Sequence, residues 1–241
     1  MKSTSNKEGK FTYQDFEKGL MLAGYISPQD TNEVIERNVL QEFDKSNAEL
    51  NKKQYFKRTV LAAEIVSELK DEITFGRVKF QKMVYLCENV VHIKLADDRY
   101  KKFAAGPFDN RFMHSINREF LKQKWFEVKV VKSGDFSKPV YYELERINNY
   151  KDYYNKYFSE HNESIQRVIS LLKTKKTDFV ELVATIFHCW KEIIDEKKEF
   201  SNSLIHTMVH SWAAEKKRFT TKDIDNMIEW MEKENLTPVS I

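Results

Sequence analysis

Glycine and proline together supply only ten of 241 residues, six and four respectively. A sandwich or barrel needs turn residues at every strand connection, so this scarcity confines the chain to helices joined by short turns, with few strands. A hydrophobic fraction of 41% is enough to build a core, and an aromatic fraction of 13% supplies bulky residues to fill it. The length suits one large domain, or one domain with an appended helical piece.

Hydrophobic spacing divides the chain. Residues 1–10 are polar and read as a disordered lead. Phe11, Phe16, Leu20 and Tyr25 fall near helical spacing, Gly24 reads as a stop, and a second short helix follows Ser27-Pro28 with Val34, Ile35, Val39, Leu40 and Phe43. Polar residues 44–54 form a linker that completes an N-terminal arm over 11–54. From Tyr55, the positions Phe56, Val60, Leu61, Ile65, Val66 and Leu69 predict an amphipathic helix, broken at 71–76. A second helix spans 77–93. Ala105-Gly106-Pro107-Phe108 reads as a turn, and Asp109 as the N-cap of a third helix over 110–122. The period then changes from helical to alternating. Residues 125–132 and 140–144 predict two strands around a turn at 133–138. Three helices followed by a β-hairpin is the plan of a winged-helix module, assigned here to 55–145. Helical spacing resumes over 146–241 and predicts a C-terminal helical bundle, with Asp178 and Asp223 at helix starts. The expected fold class is mainly α with a small β-hairpin.

Charge is uneven. Residues 1–51 carry six basic and nine acidic side chains, 52–145 carry nineteen and thirteen, and 146–241 carry fifteen of each. Only the middle leans toward a polyanion. Cys87 and Cys189 lie in apolar helical patterns and read as buried, reduced thiols. The polar start offers no signal-peptide pattern, and no window approaches the roughly 18 apolar residues of a membrane span. The expectation is a cytoplasmic protein.

Residues 77–87, Arg-Val-Lys-Phe-Gln-Lys-Met-Val-Tyr-Leu-Cys, followed by the Gly106-Pro107 turn and a helix, resemble the Panacea antitoxin domain of prokaryotic toxin–antitoxin systems. The runs 58–66, 104–109, 122–126 and 183–190 are similar to an accessory domain fused to some bacterial type I restriction specificity subunits. The likeness covers roughly 55–238 and lacks the large target-recognition domains of those subunits. It implies a regulator or adaptor in a restriction, toxin–antitoxin or phage-defence setting. The partner it implies is a toxin or a restriction-system subunit, and it supplies no catalytic residues.

Four chemistries follow from the residues themselves. In a winged helix the third helix enters the major groove and the wing touches phosphate. That helix presents Asn110, Arg111, His114, Asn117 and Arg118, and the wing presents Lys129, Lys132 and Lys138. Arg and Asn make the bidentate contacts that read guanine and adenine edges. Tyr150, Tyr153, Tyr154, Tyr157 and Phe158 offer more aromatic surface than one core stripe needs, and form a candidate protein-binding face. Glu127-Val128-Lys129 with Asp109 upstream matches half of a metal-dependent nuclease motif. His206 and His210 stand one helical turn apart, but no third ligand completes a set, so neither a metal nor a cofactor is expected. Walker-type loops, dinucleotide fingerprints and serine-hydrolase elbows are missing from the sequence. The expected function is a non-enzymatic protein-binding adaptor or antitoxin-like regulator. A winged-helix DNA-binding regulator is the first alternative, with a Mg-dependent nuclease second.

Overall fold

A computed structural model describes residues 48–92, 100–133 and 136–239. The lead at 1–10, the two short helices over 11–43, the first part of the linker and the centre of the hairpin turn lie outside the described residues. In chain order the elements are α1 (Ala48–Leu69), α2 (Arg77–Val90), β1 (Lys101–Phe103), β2 (Gly106–Phe108), α3 (Asn110–Gln123), β3 (Phe126–Ser133) and β4 (Phe136–Glu143). They continue with α4 (Asn149–Phe158), α5 (Asn162–Leu172), α6 (Thr177–Asp195), α7 (Asn202–Trp212) and α8 (Thr221–Lys233). Short 3₁₀ turns at Ser159–His161 and Ala214–Arg218 lie before α5 and α8. The described residues are therefore mainly helical, with two small antiparallel sheets of two strands each among them.

Helix α1 begins inside the segment expected to be a linker. The stretch Ala-Glu-Leu-Asn-Lys-Lys-Gln consists mostly of good helix formers, and the helix already packing from Tyr55 extends back through it. Helix α2 ends at Val90, and every residue from Lys79 to Glu88 is buried, polar ones included. It lies between α1 on one side and α5 and α6 on the other. A helix enclosed all round must satisfy its polar side chains internally. Lys79 does so by donating to the carbonyl oxygens of Lys173 and Lys175, each at 2.6 Å, beyond the end of α5. Those carbonyls belong to the stretch just past a helix C-terminus, where a cation is favoured. Burial pulls the Lys79 amine down to about 8. Lys82 donates to the carbonyl of Pro107, and burial holds its amine well below the usual lysine range.

The short hairpin β1–β2 pairs Lys101 with Phe108 and Phe103 with Gly106. Its second strand is the segment expected to be only a turn. Three-residue strands leave no readable alternation, and Gly-Pro conceals the pairing. The core is continuous from Val60 in α1 to Leu236 beyond α8, with no break at position 145. Helix α4 packs on α1, and a buried Glu64 carboxylate joins them by accepting from Lys151 at 2.6 Å and from Gln166 of α5 at 2.7 Å. Both cysteines are free and buried. Among the described residues no helix is long and apolar enough to cross a membrane.

Candidate nucleic-acid interface

Helix α3 is fixed at both ends. Asp109 accepts from the amide of Phe112 at 3.0 Å, as expected of an N-cap. At the other end Lys124 is left-handed, with φ of 60°. Its amide bonds to the Leu121 carbonyl and the Trp125 amide to the Phe120 carbonyl, which is the Schellman closure. Phe112, Met113, Ile116 and Phe120 are buried, and this commits the helix to one rotation about its axis. The opposite side carries Arg111, Ser115, Arg118 and Lys122 at i, i+4, i+7 and i+11, a single stripe. Its three cationic residues are all exposed and span about 16 Å of helix at 1.5 Å per residue.

A buried ionic group anchors this helix. Arg58 of α1 is 1% exposed. Its guanidinium pairs with Glu88 at 2.5 Å and with Asp109, and donates to the Tyr100 hydroxyl at 2.6 Å. Tyr100 in turn donates to Glu88 at 2.7 Å, which closes the ring of bonds. The guanidinium also lies 4.0 Å from the Phe112 ring centre, a cation–π contact in a dry setting. Burial raises the Glu88 carboxyl above its usual range despite Arg58. Sequence reasoning missed this group. A signal was present, because Arg58 stands on the same helical stripe as Leu61, Ile65 and Leu69, where a cation has to find a buried partner.

The hairpin β3–β4 runs in register from Phe126 opposite Glu143 to Ser133 opposite Phe136. One face carries Phe126, Val128 and Val130 with Tyr141 and Pro139, and its base is in the core. Tyr141 meets the rings of Phe75, Phe80 and Phe126. The other face carries Glu127, Lys129 and Val131 with Tyr142. The three expected wing lysines differ in situation. Lys132 is exposed. Lys129 lies 3.0 Å from Glu127, so its charge is partly balanced. Lys138 donates to the carbonyls of Glu72 and Ile73 at 3.0 and 3.1 Å and ties the hairpin to the α1–α2 turn.

The residues expected to read bases also separate. Arg111, Asn117 and Arg118 are at the surface, whereas Asn110 and His114 are half-buried. The Asn110 Oδ1 and His114 Nε2 atoms are buried without a hydrogen-bond partner. Burial, then the charges of Arg77 and Arg118, lower the His114 imidazole below its ordinary range, so it is neutral at pH 7.

The tyrosine helix requires a correction. Tyr150, Tyr154 and Phe158, at i, i+4 and i+8, are 2%, 2% and 1% exposed. They form the core stripe of α4 and offer nothing to a partner. Tyr150 packs against Trp125, and Tyr154 donates to Asn162 at 3.0 Å. Only Tyr153 and Tyr157 reach the outside, stacked 6.4 Å apart with both edges against Phe56.

The two carboxylates of the nuclease pattern are each otherwise engaged. Asp109 is buried, paired with Arg58 and capping α3, and Glu127 on β3 lies 3.0 Å from Lys129. His206 bonds to Asp225 and His210 to the Phe219 carbonyl, each at 2.8 Å. Among the described residues no three His, Cys, Asp or Glu side chains are grouped to hold a metal ion. No family model, curated protein or solved structure matches the chain.

Proposed function

We propose that this chain is a non-enzymatic regulator that binds duplex DNA through a winged-helix arrangement, with α3 in the major groove and the β3–β4 hairpin against the backbone. The observation that carries this reading is the exposed stripe of Arg111, Arg118 and Lys122 on a helix whose ends and inner face are fixed, beside a hairpin bearing exposed Lys132. A helix held rigidly by capping and packing presents its side chains at low entropic cost, as groove recognition requires. Asn117, exposed on the next turn, adds a side chain able to bond an adenine edge. The likeness of residues 77–87 and 104–109 to the Panacea and restriction-subunit domains supports a setting in bacterial defence, with repression or site regulation as the output.

Fluorescence anisotropy of the full chain with labelled duplexes, measured across a salt series, tests the reading. Binding is expected to weaken steeply with salt, because each phosphate contact releases counterions. Affinity that does not depend on salt, or that is unchanged in Arg111→Ala/Arg118→Ala, sinks it.

A second reading, the protein-binding adaptor, is favoured by one specific feature. Val130, Val131 and Tyr142 are 68%, 44% and 45% exposed on the hairpin, more apolar surface than a phosphate-contacting wing needs. On that reading the same hairpin is the partner-binding edge, with a toxin or restriction-system subunit as partner. Val131→Lys/Tyr142→Lys separates the two: it abolishes complex formation with a protein partner and strengthens or preserves binding to DNA.

A further inference from the structure

Three aromatic rings form a platform where α1 and α4 pack together. Phe56 of α1 is the floor. The rings of Tyr153 and Tyr157 of α4 stand across it, with centres 5.0 and 6.3 Å away and planes at 88° and 86°. The two tyrosines lie within 18° of parallel. We propose that this platform stacks the bases of single-stranded nucleic acid, while lysines of the same two helices meet its phosphates.

The rings are held from behind. Trp125 is 1% exposed and backs the platform from the core, 5.9 Å from Phe56 and 6.3 Å from Tyr153. Burial of Tyr150, Tyr154 and Phe158 fixes the rotation of α4, so its flank has to present Tyr153 and Tyr157 side by side at i and i+4. Near-parallel rings give successive bases a common orientation, and a π-face accepts any base. Tyr153, at 39% exposure, is the most open of the three.

Charge decides between a strand and a protein as the occupant. Lys53 and Lys57 lie one turn apart on α1, and Lys57 holds its ammonium 5.3 Å from the centre of the Tyr157 ring. Lys156 follows Tyr153 at i+3. Lys53 and Lys156 are exposed, and no acidic side chain among the described residues pairs with either. Asp152, the acidic residue of α4, is turned about 100° from Tyr153 and about 140° from Tyr157 round the helix. Lysine is depleted at the centre of protein interfaces, whereas cations interleaved with exposed rings are the pattern of a single-strand groove.

The platform borders α3 without belonging to its stripe. Tyr55, the residue before Phe56, packs on Phe112 of α3 with ring centres 6.2 Å apart. A duplex keeps the faces of its bases covered by their neighbours, so the rings here call for unpaired bases. Binding of a single strand therefore does not depend on the duplex reading above.

The test is fluorescence anisotropy of the full chain with a labelled oligo-dT of about 12 nucleotides, a length suited to one binding groove. Each variant is first checked for an unchanged melting temperature. Binding is expected at low salt with a dissociation constant on the order of 10 µM. Tyr153→Ala should weaken it at least ~5-fold, and Tyr153→Trp should keep or tighten it, because a larger π-face replaces the phenol. Lys53→Ala/Lys156→Ala should lower the slope of log affinity against log salt by about 1.4, at about 0.7 for each phosphate contact on a single strand. Arg111→Ala/Arg118→Ala should cost less than Tyr153→Ala does. Failure to bind oligo-dT, an affinity unchanged in Tyr153→Ala, or equal losses in Tyr153→Ala and Tyr153→Trp overturns the proposal. Capture of a protein through Tyr153 without binding of the oligonucleotide also overturns it, and gives this face to a protein partner. Duplex binding lost while oligo-dT binding persists would remove the α3 reading alone.

Discussion

Arg58, on the third turn of α1, holds Asp109, the residue that caps α3, across 51 positions of sequence, and both side chains are 2% exposed. The same guanidinium holds Glu88, so its removal would leave two buried carboxylates without a counter-charge. Breaking a buried ion pair by deleting one partner typically costs about 3–5 kcal/mol. Arg58→Met is expected to lose that much in urea unfolding. Arg58→Lys should recover only part, because an ammonium cannot bond Glu88, Asp109 and Tyr100 in the fork geometry. A loss within experimental error for Arg58→Met would mean that the carboxylates find other partners.

Stability should fall on acidification through His188. Burial, acting against the nearby Glu192, lowers this imidazole from 6.5 to about 4. Its Nδ1 lies 3.0 Å from the Tyr85 hydroxyl, and its ring meets Trp212 edge to face. Unfolded chains take up this proton near pH 6.5 and folded ones only near 4, so the unfolded state binds more protons between these values. The contribution is therefore complete above about 6.5 and is lost as pH drops toward 4, to a total of about 3 kcal/mol. Chemical denaturation at several pH values checks this. His188→Gln should flatten the dependence, and an unchanged slope in that variant would assign it elsewhere.

Of the two glycines among the described residues, Gly106 is the one with no room for a side chain. Its φ is 99°, and an added Cβ would lie 2.8 Å from Thr185 Oγ1 and 3.4 Å from Lys82 Cε. Backbone strain and crowding act together, so Gly106→Ala should destabilise by about 1–3 kcal/mol. The double variant Gly106→Ala/Thr185→Ala relieves only the contact with the hydroxyl. Thermal melting of the two apportions the cost between backbone and packing.

Lys124 presents the reverse case, a side chain where glycine is preferred. Its left-handed backbone closes α3, and its amine pairs with Glu145 at 2.5 Å across an exposed surface. Left-handed geometry costs a non-glycine residue roughly 1 kcal/mol, while an exposed pair contributes little. Lys124→Gly is expected to raise the melting temperature slightly. A marked drop would show that the ion pair matters more than the backbone.

If the chain binds DNA as proposed, salt slopes should distinguish the lysines and arginines of α3 and the hairpin. Arg118→Ala should reduce the slope of log affinity against log salt by about 1. Lys138→Met should leave the slope unchanged, because that amine bonds the α1–α2 turn instead. Equal effects from both variants would remove α3 as the principal contact.

Local signals in the sequence proved sufficient for α3. The Asp109 cap and the spacing of Phe112, Met113, Ile116 and Phe120 place the helix within one residue of its observed end, and the alternation after Trp125 locates β3 within one residue, whereas β4 begins at Phe136, inside the expected turn. Long-range partnerships were not legible. Nothing local distinguishes Lys138, which binds a turn 66 positions away, from exposed Lys132. The periodicity of α4 likewise marks two aromatic stripes, and only the placement of α1 decides that Tyr150, Tyr154 and Phe158 face inward. Arg58, Lys79 and Lys82 look like surface residues by type. Their burial depends on acceptors such as Glu88, Lys173 and Pro107, supplied by other elements.

The small hairpin β1–β2 leans on the far end of the chain. Trp212 donates its indole N–H to the Phe103 carbonyl at 2.6 Å, Lys102 reaches Glu192 at 2.7 Å, and Gly106 lies against Thr185. These partners come from α6 and α7, about 80 to 110 positions later. A recombination event that exchanged the first part of the gene and kept the last would break all three contacts at once. The segment that carries α3 therefore depends on the C-terminal helices for its fit, and an exchange of either part alone would have to rebuild all three contacts.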